Sequence, residues 1–247
     1  MRKPTTTPSS TLPALLLVPL GTSLPAATIT DGHVDIIGIG YVEESPGVFV
    51  LEPHTHVEFG TVDGVGVTDV EYEAGDLTFL VPGSTLTARE VGGQWDPIGV
   101  AAGENYYFLP QSATQADALG SIFAGIGTEE LAPGDWSTDI SITLTGMTGP
   151  GQFALAQVVL GSPNFFMSTA DGISGADTYS QSADDHQHFN WYFTEVGDYT
   201  LTFSFEGTHA TDGVKTATAT YNFSVVPEPS TALLGALAML GLMRRRR

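Results

Sequence analysis

Residues that commonly bind metal ions recur at alternate positions near both ends of the chain. His33 and Asp35 form one such pair, and His186 and His188 form another. Residues two apart in an extended strand point to the same face, so each pair can present its side chains together. Imidazole nitrogens combined with carboxylate oxygens suit zinc, copper, manganese or iron. The spacing therefore predicts strands that could hold a divalent transition metal, with zinc as the first candidate.

A third stretch repeats the pattern, and a simpler interpretation competes with metal binding. His54 and His56 share a face with Glu58, whereas His209 has no partner nearby in the sequence. Exposed histidines also occur on strands that face water, where they bind nothing. The residue pattern alone leaves both interpretations open.

The charge of the chain limits its partners. Residues 28–226 hold two basic and 27 acidic residues, which gives this span a net charge of −25. Such a surface repels nucleic acid and concentrates cations. The loop over residues 168–185 carries four aspartates and could bind calcium, although it lacks EF-hand spacing and could equally be a solvated loop. These aspartates are Asp171, Asp177, Asp184 and Asp185.

Both ends of the chain have the composition of targeting segments. Residues 1–27 contain two basic residues, a short apolar run and small residues, as in a flexible, cleaved signal peptide. Residues 227–247 contain Pro227, Glu228 and Pro229, an apolar stretch and four terminal arginines. This end resembles the PEP-CTERM sorting signal. The resemblance implies a C-terminal transmembrane sorting helix, recognition by an exosortase-type enzyme, and delivery to the cell surface or extracellular matrix after transient anchoring in the inner membrane.

Residues 28–226 have the pattern of an all-β domain. Short runs rich in Val, Ile, Thr, Tyr and Phe alternate with Gly, Pro and Asp. We predict an immunoglobulin-like antiparallel β-sandwich. Gly197 followed by Asp198 and Tyr199 indicates a tyrosine corner, in which the phenol bonds nearby backbone. Residues 111–139 are the least regular, and we interpret Gly125-Ile126-Gly127 as loop.

Five motifs occur in order in this span: Gly32-His33-Val34-Asp35, Tyr107-Phe108-Leu109-Pro110-Gln111, Trp136, Gly149-Pro150-Gly151-Gln152-Phe153 and His186-x-His188-x-Asn190-Trp191-x-Phe193-Thr194-x-x-Gly197-x-Tyr199. Together they resemble the choice-of-anchor M domain, also called the actinobacterial surface-anchored protein domain. The resemblance implies a secreted domain joined to one of several anchors, and in actinobacteria an association with zinc/manganese-type transporters. Carried over by position, it implies His33, Asp35, His186 and His188 as ligands. His54 and His56 lie outside the motifs of the resemblance and are weaker candidates.

Three classes of function follow from these observations. The first is a surface-displayed, non-catalytic domain that binds a divalent transition metal. The second is a structural or adhesive protein that binds polysaccharide or a cell-surface partner without metal. The third is a metal-dependent hydrolase with Glu58 or Asp185 as base. The sequence has no Gly-x-Ser-x-Gly and no His-Glu-x-x-His motif, so we do not expect an enzyme.

Overall fold

A computed structural model describes residues 26–228 of the protein, and most of this range is β-strand. One α-helix, α1 (Ala113–Leu119), and two 3-10 helices (Gly83–Thr85 and Gly93–Ile98) lie between strands in the described range. The all-β prediction is confirmed. The strands are β1 (Ala27–Ser45), β2 (Val48–Val62), β3 (Val65–Glu73), β4 (Leu77–Val81), β5 (Thr87–Ala88), β6 (Asn105–Leu109), β7 (Ile122–Gly127), β8 (Ile140–Thr148), β9 (Phe153–Val159), β10 (Ser162–Ser168), β11 (Thr178–Gln181), β12 (His186–His188), β13 (Asn190–Phe193), β14 (Gly197–His209) and β15 (Gly213–Val225).

The strands form two sheets that pack together in a β-sandwich arrangement. The larger sheet has the order β11-β8-β14-β15-β4-β1-β2-β3, with β7 beside β1 and β12 beside β7. The smaller sheet has the order β10-β9-β13-β6-β5. Aromatic side chains fill the space between the sheets, where the ring centroids of Trp191 and Phe223 lie 5.6 Å apart.

The prediction of a purely antiparallel sandwich is wrong, because the larger sheet is mixed. β1 runs parallel to both β4 and β7, and β15 runs parallel to β4. Parallel neighbours require a crossover connection, and the residue pattern within one strand does not encode the direction of its neighbour. The immunoglobulin-like arrangement of the sandwich stays a prediction.

The alternating pattern of β14 explains how this strand joins the core. Tyr199, Leu201, Phe203 and Phe205 are buried, whereas the residues between them are half-buried or exposed. The predicted tyrosine corner is confirmed: the Tyr199 hydroxyl donates to the carbonyl of Glu195 at 2.9 Å and accepts from its N–H at 3.1 Å.

The long strand β1 changes its neighbour partway along its length. Ala27–Ile29 pairs with β4, and Gly32–Gly38 pairs with β7. The register is irregular between Ile29 and Gly32, and Gly32 has φ = 105°. A Cβ at this glycine would overlap the backbone of β2, so close strand approach as well as conformation favours glycine here. The change of neighbour brings His33 and Asp35 beside β7.

The chain crosses from one sheet to the other with almost no loop. β12 belongs to the larger sheet and pairs with β7, whereas β13 belongs to the smaller sheet and pairs with β6 and β9. Only Phe189, which is fully buried, separates the two strands. His186 and His188 therefore lie at a junction that is packed into the core.

The segment over residues 111–139 is more regular than predicted. It contains α1, which ends at Gly120 (φ = 59°), and then β7. The interpretation of Gly125-Ile126-Gly127 as loop is wrong, because these residues form the C-terminal half of a strand that is paired on both sides. Glycine is unfavourable inside a strand. In β7, Gly125 and Gly127 are explained by the side chains of neighbouring strands, which occupy the space that a Cβ would fill.

The predicted domain limits lie close to the ends of the described range. β1 begins at Ala27 and β15 ends at Val225, next to the predicted limits of 28–226. The predicted signal peptide, apart from residues 26 and 27, and the sorting helix lie outside the described residues. Within residues 26–228, no helix has the length and apolar character needed to span a membrane.

Candidate metal centre

Three histidine side chains converge on one point between β1 and β12. The Nε2 atom of His33 lies 3.3 Å from Nε2 of His186 and 3.1 Å from Nε2 of His188. The Nε2 atoms of His186 and His188 are 3.0 Å apart. His33 thus lies beside His188, and three of the four predicted ligands present the same ring nitrogen to a common centre.

The strand between these histidines makes their approach possible. β7 pairs with β1 on one side and with β12 on the other, and Gly125 is the cross-strand partner of both Asp35 and His188. A Cβ at Gly125 would overlap the Asp35 carboxylate and come within 3.2 Å of His186 Nε2. At Gly127 a Cβ would lie 3.1 Å from Asp35 Oδ2. The two glycines therefore leave the space that the polar side chains fill.

Carboxylates contact the outer nitrogens of two of the three rings. Glu58 Oε2 contacts Nδ1 of His33, and Glu129 Oε2 lies 3.1 Å from Nδ1 of His186. A carboxylate at Nδ1 holds the proton on that nitrogen and leaves the Nε2 lone pair for a metal, as in carboxylate–histidine–zinc triads. Neutral rings in this tautomer would aim their lone pairs at one another, an arrangement that a cation at the centre would stabilise.

Asp35 is the fourth predicted ligand, and it lies beside His186. Its Oδ1 atom is 3.0 Å from His186 Nε2, and the residue is only 2% exposed. Apart from this ion pair, Oδ1 has no hydrogen-bond partner among the described residues. Asp35, Glu129 and His186 also offer ligand atoms that lie within 4.8 Å of one another. The candidate donor set is therefore three imidazoles that converge on one point and a buried carboxylate that joins this group through His186.

The surroundings shift the pKa values of two of the histidines in opposite directions. The hydrogen bond to Asp35 raises the pKa of His186 to about 9, aided by the charges of Asp35 and Glu129 and opposed by burial. Burial, together with the charges of His186 and His33, lowers the pKa of His188 to about 4. In the metal-free protein at neutral pH, His186 is therefore protonated and His188 is neutral. A metal that binds His186 must displace its proton.

Aromatic rings line one side of the centre. The Phe123 ring stacks on His188 at 3.4 Å between centroids and lies 4.9 Å from His33. Phe59, which is exposed, contacts His33 edge-on at 6.1 Å. These contacts fix the ring planes, while the side chains of His33 and His186 keep 15% and 18% of their surface exposed. Solvent therefore reaches a centre whose geometry is held by packing.

The remaining histidines lie outside this group. The structure does not bring the weaker candidates His54 and His56 to the centre: His54 Nε2 lies 2.9 Å from Glu130, and His56 Nε2 lies 3.2 Å from Asp69. His209 contacts Thr211 and Asp212.

The aspartates of the 168–185 loop do not gather around a common point. The carboxylate of Asp177 accepts hydrogen bonds from the backbone N–H groups of Ser168 and Ser174, so it closes its own loop. Asp185 accepts from the N–H of His186 at 2.9 Å. Within the described range, the groups of converging ligand atoms contain none of these four aspartates. Calcium binding by this loop stays a prediction.

The sequence did not point to three residues that complete the site. Glu129, Gly125 and Gly127 lie in the segment interpreted as irregular. This segment is far along the chain from both pairs of predicted ligands. Two glycines separated by one apolar residue are a weak signal by themselves. A glycine pair inside a β-strand would have been informative only once β7 was known to lie between the two ligand strands.

The predicted sorting triplet begins two residues beyond the last strand. Pro227 and Glu228 are exposed and follow Val226, whose N–H donates to the carbonyl of Val81 at 3.0 Å. Pro229 lies outside the described residues. The fold thus ends immediately before the triplet.

Comparison with known proteins identifies this end of the chain. Residues 225–247 match the PEP-CTERM protein-sorting motif. The protein is therefore exported and directed to the cell surface, and its C-terminal signal is of the type recognised by exosortase-type sorting enzymes. No curated protein and no solved structure matches the chain. This match covers only the C-terminal end of the chain. The resemblance of the preceding residues to the choice-of-anchor M domain stays a prediction.

Proposed function

We propose that this exported protein is a non-catalytic binding domain that holds one divalent transition metal ion at the cell surface. The proposed ligands are Nε2 of His33, His186 and His188, with the carboxylate of Asp35 as the fourth. The observation that carries the proposal is the mutual approach of the three Nε2 atoms to 3.0–3.3 Å.

The distances support a tetrahedral ion. Ligands at about 2.0–2.1 Å from a tetrahedral zinc lie about 3.3 Å from one another. The Nε2 separations and the 3.0 Å between Asp35 Oδ1 and His186 Nε2 are close to this value. Three imidazoles and one carboxylate suit zinc, and they disfavour calcium and magnesium, which prefer all-oxygen sites. We therefore propose zinc first, with copper and manganese as competitors.

The four proposed ligands also support binding over catalysis. A catalytic zinc keeps a position open for water, whereas a site with four protein ligands is closed. Asp35 would fill the position that a catalytic water needs. Glu58, considered above as a base, would instead orient His33.

Metal content measured on the purified full chain tests this proposal. We expect one equivalent of zinc after equilibration with a zinc buffer, and less than a tenth of this in His188→Ala. His209→Ala is the matched control, because it removes a histidine outside the group and should keep one equivalent. Equal zinc content in wild type and His188→Ala would refute the proposal.

A second candidate function is adhesion to polysaccharide or a surface partner without metal. Aromatic side chains are the usual contacts to sugar rings, but most of the candidates are buried: Trp95, Tyr106, Tyr107 and Tyr192 are each no more than 9% exposed. Their burial favours a packing role. Trp136, which is half-buried, is the exception.

We further propose that the predicted sorting helix anchors the protein transiently in the inner membrane before an exosortase-type enzyme removes it. The order of Pro227-Glu228-Pro229, an apolar stretch and terminal arginines supports this. Membrane fractionation before and after replacement of the four terminal arginines tests the anchoring: a protein that fractionates identically in both cases would contradict it.

The resemblance to choice-of-anchor M domains agrees with the proposed metal ligands, because His33, Asp35, His186 and His188 all fall in the motifs of that resemblance.

A further inference from the structure

A depression on the surface lies beside Trp136, and none of its lining residues is a proposed metal ligand. It has a volume of about 220 Å³. This is smaller than the roughly 300–1,000 Å³ of pockets for drug-sized ligands. Its lining combines the Trp136 indole with Asp139 and the hydroxyl-bearing residues Ser137, Thr138 and Ser182. An aromatic surface surrounded by hydroxyls and a carboxylate suits a polar, uncharged ligand that has one apolar face.

The backbone around Trp136 is fastened to the end of β14. Trp136 forms a β-bridge with His209, and the N–H of Ser137 donates to the carbonyl of Thr208 at 2.7 Å. In return, the N–H of Thr208 donates to Thr138 Oγ1 at 2.9 Å. This segment is therefore held on the sheet rather than standing free as a loop.

The indole is held by its surroundings at a defined orientation. Its ring contacts Tyr41 and His209 edge-on, each at 5.3 Å between centroids. On the strand side, a Cβ at Gly207 would lie 3.0 Å from the indole carbons, so glycine lets the ring approach β14 closely. A ring that is already ordered loses little entropy when a ligand stacks on it.

The polar groups of the depression are arranged to accept hydrogen bonds. The Ser182 hydroxyl donates to Asp139 Oδ1 at 2.8 Å, and the hydrogen bonds among the described residues use only this oxygen of the carboxylate. Asp139 Oδ2 can accept from a ligand hydroxyl. A pyranose ring offers hydroxyl donors at its edge and an apolar C–H face that complements the negative face of an indole.

Charge determines which sugars fit. The domain has a net charge of −25, and Asp139 lies in the lining, so uronic acids and sulfated sugars are repelled. From the cavity, the ordered indole and the free carboxylate oxygen, we infer that this depression binds a neutral glycosyl residue of a polysaccharide. The inference does not rest on the proposed metal centre.

Affinity electrophoresis of the purified full chain tests this inference. The gels contain a soluble neutral glucan, mannan or galactan, and alginate serves as the anionic comparison. We expect at least one neutral polysaccharide to retard the wild type and alginate to have no effect. Trp136→Ala should weaken the binding about tenfold, and Asp139→Asn should weaken it to a lesser extent. Val91→Ala shortens an exposed apolar side chain that does not line the depression and should bind like wild type.

A second readout guards against loss of folding in the variants. Trp95 and Trp191 are buried, so quenching of tryptophan fluorescence by acrylamide reports mainly on Trp136 among the described tryptophans. The neutral polysaccharide should protect wild type from quenching. Trp136→Phe, which keeps a flat ring, should retain part of the retardation. Absence of retardation by all neutral polysaccharides, wild-type retardation of Trp136→Ala, or stronger binding to alginate would each overturn the inference. Metal removal by chelation should change none of these results, which separates this test from that of the metal centre.

Discussion

The Nε2 atoms of His33 and His188 lie 3.1 Å apart although the two residues are 155 positions apart in the sequence. The contact joins the first strand of the domain to the short strand that leads into the smaller sheet. The chain has no cysteine and so no disulfide, and a bound metal would cross-link these distant segments. Metal binding and domain stability should therefore be coupled.

Zinc should raise the midpoint of thermal unfolding. A ligand that binds only the folded state stabilises it by RT ln(1 + [L]/Kd), which is about 2.7 kcal/mol at one hundred times Kd. Thermal denaturation followed by circular dichroism measures this shift, and excess chelator should reverse it. The same shift in His186→Ala/His188→Ala would show that zinc acts elsewhere.

Glu129 should strengthen metal binding without being a ligand. Its contact with His186 Nδ1 orients the ring, and the loss of such a partner typically weakens metal binding 10- to 100-fold. We expect Glu129→Gln to raise the zinc Kd by about tenfold or more, measured by competition with a chromophoric chelator. The adjacent Glu130→Gln is the control, because Glu130 pairs with His54. The zinc Kd of this variant should stay within about twofold of wild type.

Gly125 should be required for the geometry of the centre. In Gly125→Ala the new methyl group overlaps the Asp35 carboxylate, so the variant should lose zinc affinity. Overpacking of this kind also costs about 1–3 kcal/mol of unfolding free energy. Gly66→Ala adds the same methyl group to a strand position with open space and should leave both quantities near wild type. Tight zinc binding by Gly125→Ala would contradict the assignment of this space to the ligands.

Metal binding should release a proton from His186. Its pKa of about 9 means that the ring is charged in the metal-free protein at pH 7.5, whereas a ligand must be neutral. Titration calorimetry in buffers of different ionisation enthalpy should give about one proton released per zinc. The apparent affinity should then rise about tenfold per pH unit towards pH 9 and change little above it. No proton release at pH 7.5 would contradict the placement of His186 as a ligand.

The same pKa predicts how the metal-free protein responds to alkali. The folded-state pKa of His186 lies above its unfolded value of 6.5, so its contribution to stability is complete below pH 6.5 and is lost as pH rises through about 9. Urea unfolding of the chelator-treated protein at pH 6 and pH 9.5 measures this loss. In His186→Ala, which lacks the titrating group, the difference in unfolding free energy between the two pH values should shrink.

The ligand strands could be predicted because their information is local. A spacing of two residues places His186 and His188 on one face wherever the strand lies, and the alternation around Tyr199 identifies a half-buried strand with its corner. These features need only the period of a β-strand. The structure accordingly places His186, His188 and Tyr199 on strands, as predicted.

The neighbours of these strands could not be predicted from the same pattern. Nothing within β1 indicates that it exchanges β4 for β7 near Gly32, or that it runs parallel to both. Gly125 and Glu129 acquire their roles only through that pairing, since the space over a glycine is defined by other strands. His54, by contrast, has the same local pattern as His186 but is paired with Glu130, a partner supplied by a distant turn.

X-ray absorption spectroscopy at the zinc edge tests the central claim most directly, because it reports the atoms around the metal. For the zinc-loaded protein we predict four nitrogen or oxygen neighbours at about 2.0–2.1 Å, with outer-shell scattering from three imidazole rings. His188→Ala should lose one ring or the metal itself. A zinc ion surrounded by oxygen ligands without imidazole scattering would contradict the convergence of His33, His186 and His188 on one metal.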